Sequence, residues 1–317
     1  MFLVILLYFL IAGTFTIGKM ALSYMSPFLF IGMRMTIAGV VLALYSWIKR
    51  HKHKSIEKSD IYLFAQIILF HIYGAYMLEF WALAYVTSAK ACLLYNLSPF
   101  ITAVFCFILF NEKLSVRQIC GLILGFLGFL PILMAETSLE IMTKYSGFLS
   151  LPELALLVSV TFSAYGWMVM KKLINKRYSV VFVNSIGMLG GGILAFLTSL
   201  WVEGYPMIRD TEVTMQWVAN YYGIFTEKIV MLGIYSGLLI IIANIICYNL
   251  YGYLLSRYSA TFLSFVGFMT PLFAALLGWI YLGEPVTWHF FATLLIVLCG
   301  LSLFHTKQVI EFEERGL

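Results

Sequence analysis

Charged residues in this chain come in clumps, and between the clumps run apolar stretches of about twenty residues, the length at which a helix crosses the hydrocarbon core of a bilayer. Read between turn and charge clusters, there are ten of them: 2–23, 27–48, 61–84, 88–110, 117–135, 151–170, 179–201, 229–254, 259–282 and 286–306. Helix is the expected form, because a bilayer offers the backbone no water, and barrel strands would alternate polar with apolar residues. Composition agrees: 62% of the 317 residues are hydrophobic, 17% aromatic and only 11% charged. A soluble domain of this size has no interior able to hide that much apolar surface. The expectation is an all-α membrane protein, and no segment between spans is long enough for a soluble catalytic domain.

Several function classes fall away. The net charge of +5 is spread between apolar runs rather than along one face, so nucleic acid is not an expected partner. The only aspartates, Asp60 and Asp210, fall in expected loops, against an aspartate-based metal site. Cys92, Cys106, Cys120, Cys247 and Cys299 all lie inside apolar runs without a CxxC, the pattern of reduced, packed thiols. Gly13-Thr14-Phe15-Thr16-Ile17-Gly18-Lys19 spells most of a P-loop, but Met20 replaces the magnesium-binding hydroxyl and no strand precedes it. Without a nucleotide site, and with no cofactor implied, transport would be secondary or passive. Ala21-Leu22-Ser23 looks like a signal cleavage site, yet no basic segment precedes the run, so a retained first helix is expected.

Lysine and arginine set the orientation. Counting from a cytoplasmic N-terminus, fourteen fall on inner segments: Lys49, Arg50, Lys52, Lys54, Lys58, Lys113, Arg117, Lys171, Lys172, Lys176, Arg177, Arg257, Lys307 and Arg315. Three fall outside (Lys144, Arg209, Lys228) and three within spans (Lys19, Arg34, Lys90). That bias places both termini in the cytoplasm.

The two halves of the chain can be superposed. At an offset of 172, Tyr76 falls on Tyr248, Ser98-Pro99 on Thr270-Pro271, Ala103 on Ala275, Glu112 on Glu284, Ser115 on Thr287 and Gly128 on Gly300. The first two spans match the sixth and seventh at an offset of 152, with Ala12 on Ala164, Lys19 on Lys171, Phe30 on Phe182 and Gly39 on Gly191. A single insertion in the long 202–228 loop reconciles both offsets. Five spans per half is an odd number, so the second copy enters the membrane upside down. The expected fold is therefore ten transmembrane helices in two inverted five-helix repeats, 1–146 and 147–306, with 307–317 a cytoplasmic tail. Inverted repeats with a midplane site at their interface mark secondary transporters.

The stretches Ser98-Pro99 through Asn111-Glu112-Lys113-Leu114-Ser115 to Gly121 and Gly128, and Thr270-Pro271 through Gly283-Glu284-Pro285 to Gly300, resemble the drug/metabolite transporter superfamily in its EamA-type branch. The resemblance covers nearly the whole chain. It implies a central cavity lined mainly by helices one, three, four, six, eight and nine, a small-metabolite cargo, and helices five and ten as scaffold or homodimer face. The long 202–228 loop and the charges in the first-half spans depart from the pattern.

Those charges are the informative residues, since an ionisable group deep in a bilayer usually faces a cavity or a partner. Glu79 is too short to reach the surface and is read either as half of an ion pair with Arg34 or Lys90 or as a substrate or proton site. Lys19 and Lys90 are long enough to snorkel, the alternative to a cavity role. Ala91, Tyr95, Ser98 and Thr102 share one face of helix four, Tyr76 and Glu79 one face of helix three, and Asn244 and Tyr248 one face of helix eight. The candidate binding set is Glu79, Tyr76, Tyr95, Ser98, Asn244, Tyr248, Lys19, Arg34 and Lys90, though each asparagine serves equally as an interhelical hydrogen bonder. His71 reads as a proton relay or as a buried bonder of a carbonyl. Glu112 and Glu284 sit at helix junctions, and Ser115-Val116-Arg117-Gln118 reads as a capping box. The glycines at 121, 125 and 128, and the run Gly190-Gly191-Gly192, read as close helix contacts.

The expected function is a secondary transporter carrying a small organic metabolite across a bacterial-type inner membrane by alternating access. A cavity with a carboxylate, basic groups and aromatic faces suits a zwitterion: an amino acid, or a relative such as S-adenosylmethionine, whose cationic centre Glu79 and aromatic rings would take. The alternatives are an intramembrane enzyme acting on lipid head groups, for which no catalytic constellation is visible, and a non-transporting scaffold.

Overall fold

The computed structural model describes residues 2–48, 56–86, 91, 94–128, 150–203, 230–273, 276–277, 292, 295–300 and 303. Among them there is no strand, and nine helices run in chain order. These are α1 (Phe2–Ala21), α2 (Pro27–Ile48), α3 (Lys58–Leu83), α4 (Ser98–Phe110), α5 (Val116–Leu127), α6 (Leu151–Asn175), α7 (Val180–Val202), α8 (Val230–Leu255) and α9 (Ala260–Phe273). Six of them, α1, α2, α3, α6, α7 and α8, are long and apolar enough to cross a membrane, and the other three are shorter apolar helices. Of the tenth expected span, residues 295–300 are helical and most of the rest lies outside the described residues. The P-loop-like segment is part of the unbroken helix α1.

Helix ends follow local chemistry. Ser115 accepts from the Gln118 N–H, and Gln118 Oε1 accepts from the Ser115 N–H at 2.8 Å, the capping box expected for α5. Asn111 closes α4 in the left-handed region (φ 54°), which asparagine tolerates. Glu112 beside it is held by Lys171 at 2.9 Å, so it is structural through an ion pair rather than through a cap. Asp60 departs from its expected place in a loop. It is fully buried at the start of α3, ion-paired with Lys176 and accepting from the Tyr178 hydroxyl at 2.9 Å.

Two pairs of helices carry matching irregularities. α3 and α8 each contain two turns of π-helix, Ile67–Gly74 and Ile240–Cys247, which at the offset of 172 lie one residue out of step. α4 and α9 are interrupted ahead of Ser98-Pro99 and Thr270-Pro271, by a turn at Asn96-Leu97 and a 3-10 turn at Gly267–Met269. Proline has no N–H to offer the carbonyl four residues back, Tyr95 or Gly267, and its ring crowds that carbonyl, so each break falls in the turn before the proline while Ser98 and Thr270 stay helical.

Side chains pack into two clusters. Leu7, Tyr8, Phe64, Leu173, Phe262 and Phe265 anchor one, and Phe30, Met35, Leu83, Leu156 and Met188 the other. α2 and α7 touch backbone to backbone: a methyl group built on Gly39 would lie 2.6 Å from the Leu189 nitrogen, and one on Gly192 2.6 Å from the Thr36 nitrogen. The helix-five glycines are used inside the bundle too, since a methyl group on Gly300 would lie 2.9 Å from the Gly121 carbonyl oxygen. Val40, Leu44, Trp47, Ile193, Leu197 and Trp201 are exposed on the outer faces, an apolar surface of the kind a multi-pass membrane protein presents.

Candidate functional site

A central cavity of about 170 Å³, open at its mouth, lies between the two clusters. Its lining comes from α1, α2, α3, α4 with the turn ahead of it, α6, α8 and α9. Among the described residues the lining holds two charged side chains, Arg34 and Glu79, set among the rings of Tyr8, Phe15, Tyr76, Phe80, Tyr95, Trp167, Tyr248 and Tyr251.

Arg34 is 2% exposed. Its guanidinium carbon lies 5.6, 5.2 and 4.7 Å from the ring centroids of Phe30, Tyr76 and Phe80, a cage that holds the charge through the ring faces. Nε and Nη2 are buried with no hydrogen-bond partner. A planar fork of N–H donors left open at a cavity wall is the shape that takes a carboxylate with two parallel bonds. Glu79 accepts from the Tyr95 hydroxyl at 2.6 Å. Tyr95 is in turn positioned by Ser159 Oγ at 3.1 Å and by the edge of Phe15, and Ser159 donates to the Ala75 carbonyl at 2.8 Å. Arg34 and Glu79 are not joined by an ion pair, so the first reading of Glu79 is corrected for that partner: each charge faces the cavity separately. Lys90 lies outside the described residues.

Tyr76, Tyr95, Ser98 and Tyr248 also reach the lining, as their helix faces suggest. Lys19 and Asn244 do not. Lys19 Nζ donates to the carbonyls of Leu83 and Val86 at 2.5 and 2.6 Å, closing the end of α3, whose last carbonyls have no helical partner. Asn244 is fully buried between helices, its Nδ2 2.9 Å from the Met35 sulfur, the interhelical alternative. His71 lies behind the wall, its ring 4.5 Å from Trp167 and 5.3 Å from Tyr248, and does not line the cavity.

The sequence reading missed Tyr8, Asn96, Trp167 and Tyr251. Val160, Ala164 and Trp167 fall at i, i+4 and i+7 and belong to one face of α6, so that wall was findable. Trp167 stacks on Tyr251 at 4.0 Å, a contact between distant helices that no periodicity reveals. Asn96 is off the Tyr95–Ser98–Thr102 stripe on an ideal helix and reaches the cavity at the interruption.

Comparison with known proteins agrees with this architecture. The model of the EamA-like transporter family matches residues 1–134 and 150–306. An S-adenosylmethionine/S-adenosylhomocysteine transporter of Chlamydia muridarum is 33% identical over 290 residues, covering 89% of this chain and 84% of the relative. One from Chlamydia trachomatis serovar L2 is 32% identical over 289 residues, covering 89% and 82%. The uncharacterized transporter YvbV of Bacillus subtilis is 26% identical over 293 residues, covering 92% and 87%. A crystal structure with 18% identity superposes with a TM-score of 0.66 over 98% of this chain and 96% of its own, a likeness of fold. A multi-pass membrane protein with a solvent-sized cavity at its centre and a family match along both halves is a transporter and not an enzyme on lipid: the chain belongs to the EamA-like transporter family.

Proposed function

We propose that the chain carries S-adenosylmethionine or a close relative across the inner membrane as a secondary transporter. The observation that carries this reading is the pair of charges, Arg34 and Glu79, in an aromatic cavity whose other described lining residues are neutral. An α-amino acid with a sulfonium centre brings one carboxylate and two cationic groups. The open fork of Arg34 takes the carboxylate. Glu79 takes a cationic group, with Tyr76 and Tyr248, whose rings lie 6.0 Å apart, offering their faces beside it. Of the two cargoes named for the chlamydial relatives, S-adenosylmethionine has this chemistry, and S-adenosylhomocysteine keeps the amino-acid end without the sulfonium charge. Alternating access between inverted halves 1–146 and 147–306, both termini cytoplasmic, completes the reading. The paired π segments in α3 and α8 and the paired breaks in α4 and α9 support it, since transporter sites form where helices are interrupted at a repeat interface.

Counterflow of labelled S-adenosylmethionine in proteoliposomes tests it, with free amino acids and S-adenosylhomocysteine as competitors. The wild type is expected to exchange label, and Glu79→Gln to lose roughly tenfold or more of that rate. Glutamine keeps an acceptor for Tyr95, so the thermal midpoint should stay near wild type. No counterflow by the wild type, or full rate in Glu79→Gln, overturns the reading.

A further inference from the structure

One more polar group in the cavity wall stands without a partner, and it is neutral. Asn96 occupies the turn ahead of Ser98-Pro99, is 3% exposed and lines the cavity. Its Nδ2 is buried with no hydrogen-bond partner. An asparagine at a turn ordinarily earns its place by bonding the backbone two residues on. Here it does not: the turn is closed by the backbone, with the Leu97 N–H donating to the Leu94 carbonyl at 3.1 Å and the Phe100 N–H to the Leu97 carbonyl at 3.1 Å. A buried donor left unmade opposes folding until something accepts from it. The local structure thus has no use for the amide, and the cavity is where its partner must come from.

A carboxamide presents a donor and an acceptor side by side. That pattern matches one feature of an adenosine-containing cargo, the edge where the N7 acceptor adjoins the N6 amino donor, which asparagine engages with two bonds. Arg34 on α2 and Glu79 on α3 are charged and suited to the amino-acid end. Asn96, on the segment leading into α4, is neutral and suited to the base. Flat aromatic surfaces for a base to lie against are present in Tyr8 and in the stacked pair Trp167 and Tyr251. We propose that Asn96 is a specificity-determining residue that reads the adenine edge, Nδ2 donating to N7 and Oδ1 accepting from the N6 amino group. This assignment rests on the S-adenosylmethionine reading above and adds the choice of base to it.

The test is competition against labelled S-adenosylmethionine in proteoliposomes, using unlabelled S-adenosylmethionine and its 7-deaza analogue, in which a C–H replaces N7. The wild type should prefer the N7-bearing compound by roughly tenfold or more. Asn96→Leu, which has neither function, and Asn96→Asp, which as a carboxylate has nothing to donate, should both lose that preference, read as the ratio of the two competitors' potencies against whatever exchange of label each variant retains. Should the leucine variant fail to fold, the aspartate variant carries the test alone. A wild type indifferent to N7, or an aspartate variant with the wild-type preference, overturns the assignment of Asn96 and leaves the cargo standing. A wild type that exchanges no S-adenosylmethionine overturns the cargo, and the assignment falls with it.

Discussion

Arg34 shows how far a single residue can set stability against function. A guanidinium that is 2% exposed, with Nε and Nη2 unbonded, is a cost to the empty protein that three aromatic rings only partly offset. Replacing a buried charge by an apolar chain of similar length removes that cost, often with a net gain in stability. Arg34→Met should therefore raise the thermal stability of the ligand-free protein by on the order of 1 kcal/mol, while abolishing uptake of any carboxylate-bearing cargo. Thermal unfolding in detergent, paired with counterflow, reads both effects. A variant that is less stable and equally inactive would mean that Arg34 is structural. Added cargo should stabilise the wild type and leave the variant unmoved, because only a protein that binds gains from mass action.

At the scale of elements, the closest approach at a described glycine is between α3 and α6. A methyl group built on Gly166 would lie 2.2 Å from His71 Nδ1 and 2.3 Å from its Cβ and Cγ, so the helices meet only because position 166 has no side chain. His71 is held inside a π-helical turn, where its ring meets Trp167 and Tyr248. Gly166→Ala should destabilise by about 1–3 kcal/mol through overpacking. The double variant His71→Ala/Gly166→Ala should recover much of that loss, since the two sites share one contact. A double-mutant cycle on thermal unfolding reads it, and strict additivity would show that the clash is relieved elsewhere. Much of this architecture was legible in the sequence. α1, α2, α7 and α8 begin and end within two residues of the apolar runs, because the bilayer length and the charge clumps that bound it are both written in composition. Proline's missing N–H could have signalled the breaks before Pro99 and Pro271, which fall inside runs expected as unbroken helices. The π turns were not legible, since an extra residue per turn leaves no mark in a uniformly apolar run. For the same reason Asn96 was hidden: helical periodicity places side chains only while the helix continues.

At the scale of the whole molecule, parity decides the topology. In the proposed topology α3, α4, α5, α6 and α7 all cross between Lys54 and Asp210, an odd number that puts the two positions on opposite sides. In the same topology the six helices α3 to α8 separate Lys54 from Arg257, an even number, so these two are expected to share a side. The positive-inside bias is the basis for proposing which side that is: Lys49, Arg50, Lys52 and Lys54 before α3, Lys171, Lys172, Lys176 and Arg177 at the α6–α7 junction, and Arg257 after α8 are all expected in the cytoplasm. Single cysteines test this in a background without the native thiols, since Cys120 and Cys299 are exposed and would react. Lys54→Cys and Arg257→Cys should react with an impermeant maleimide only in inside-out vesicles, and Asp210→Cys only in intact cells. α4 and α5 carry the weight of this outcome, being only 13 and 12 residues long where described. If either turned back without crossing, Lys54 and Asp210 would be labelled from the same side, the second half would no longer be inverted, and the matching breaks in α4 and α9 would have no symmetry to explain them.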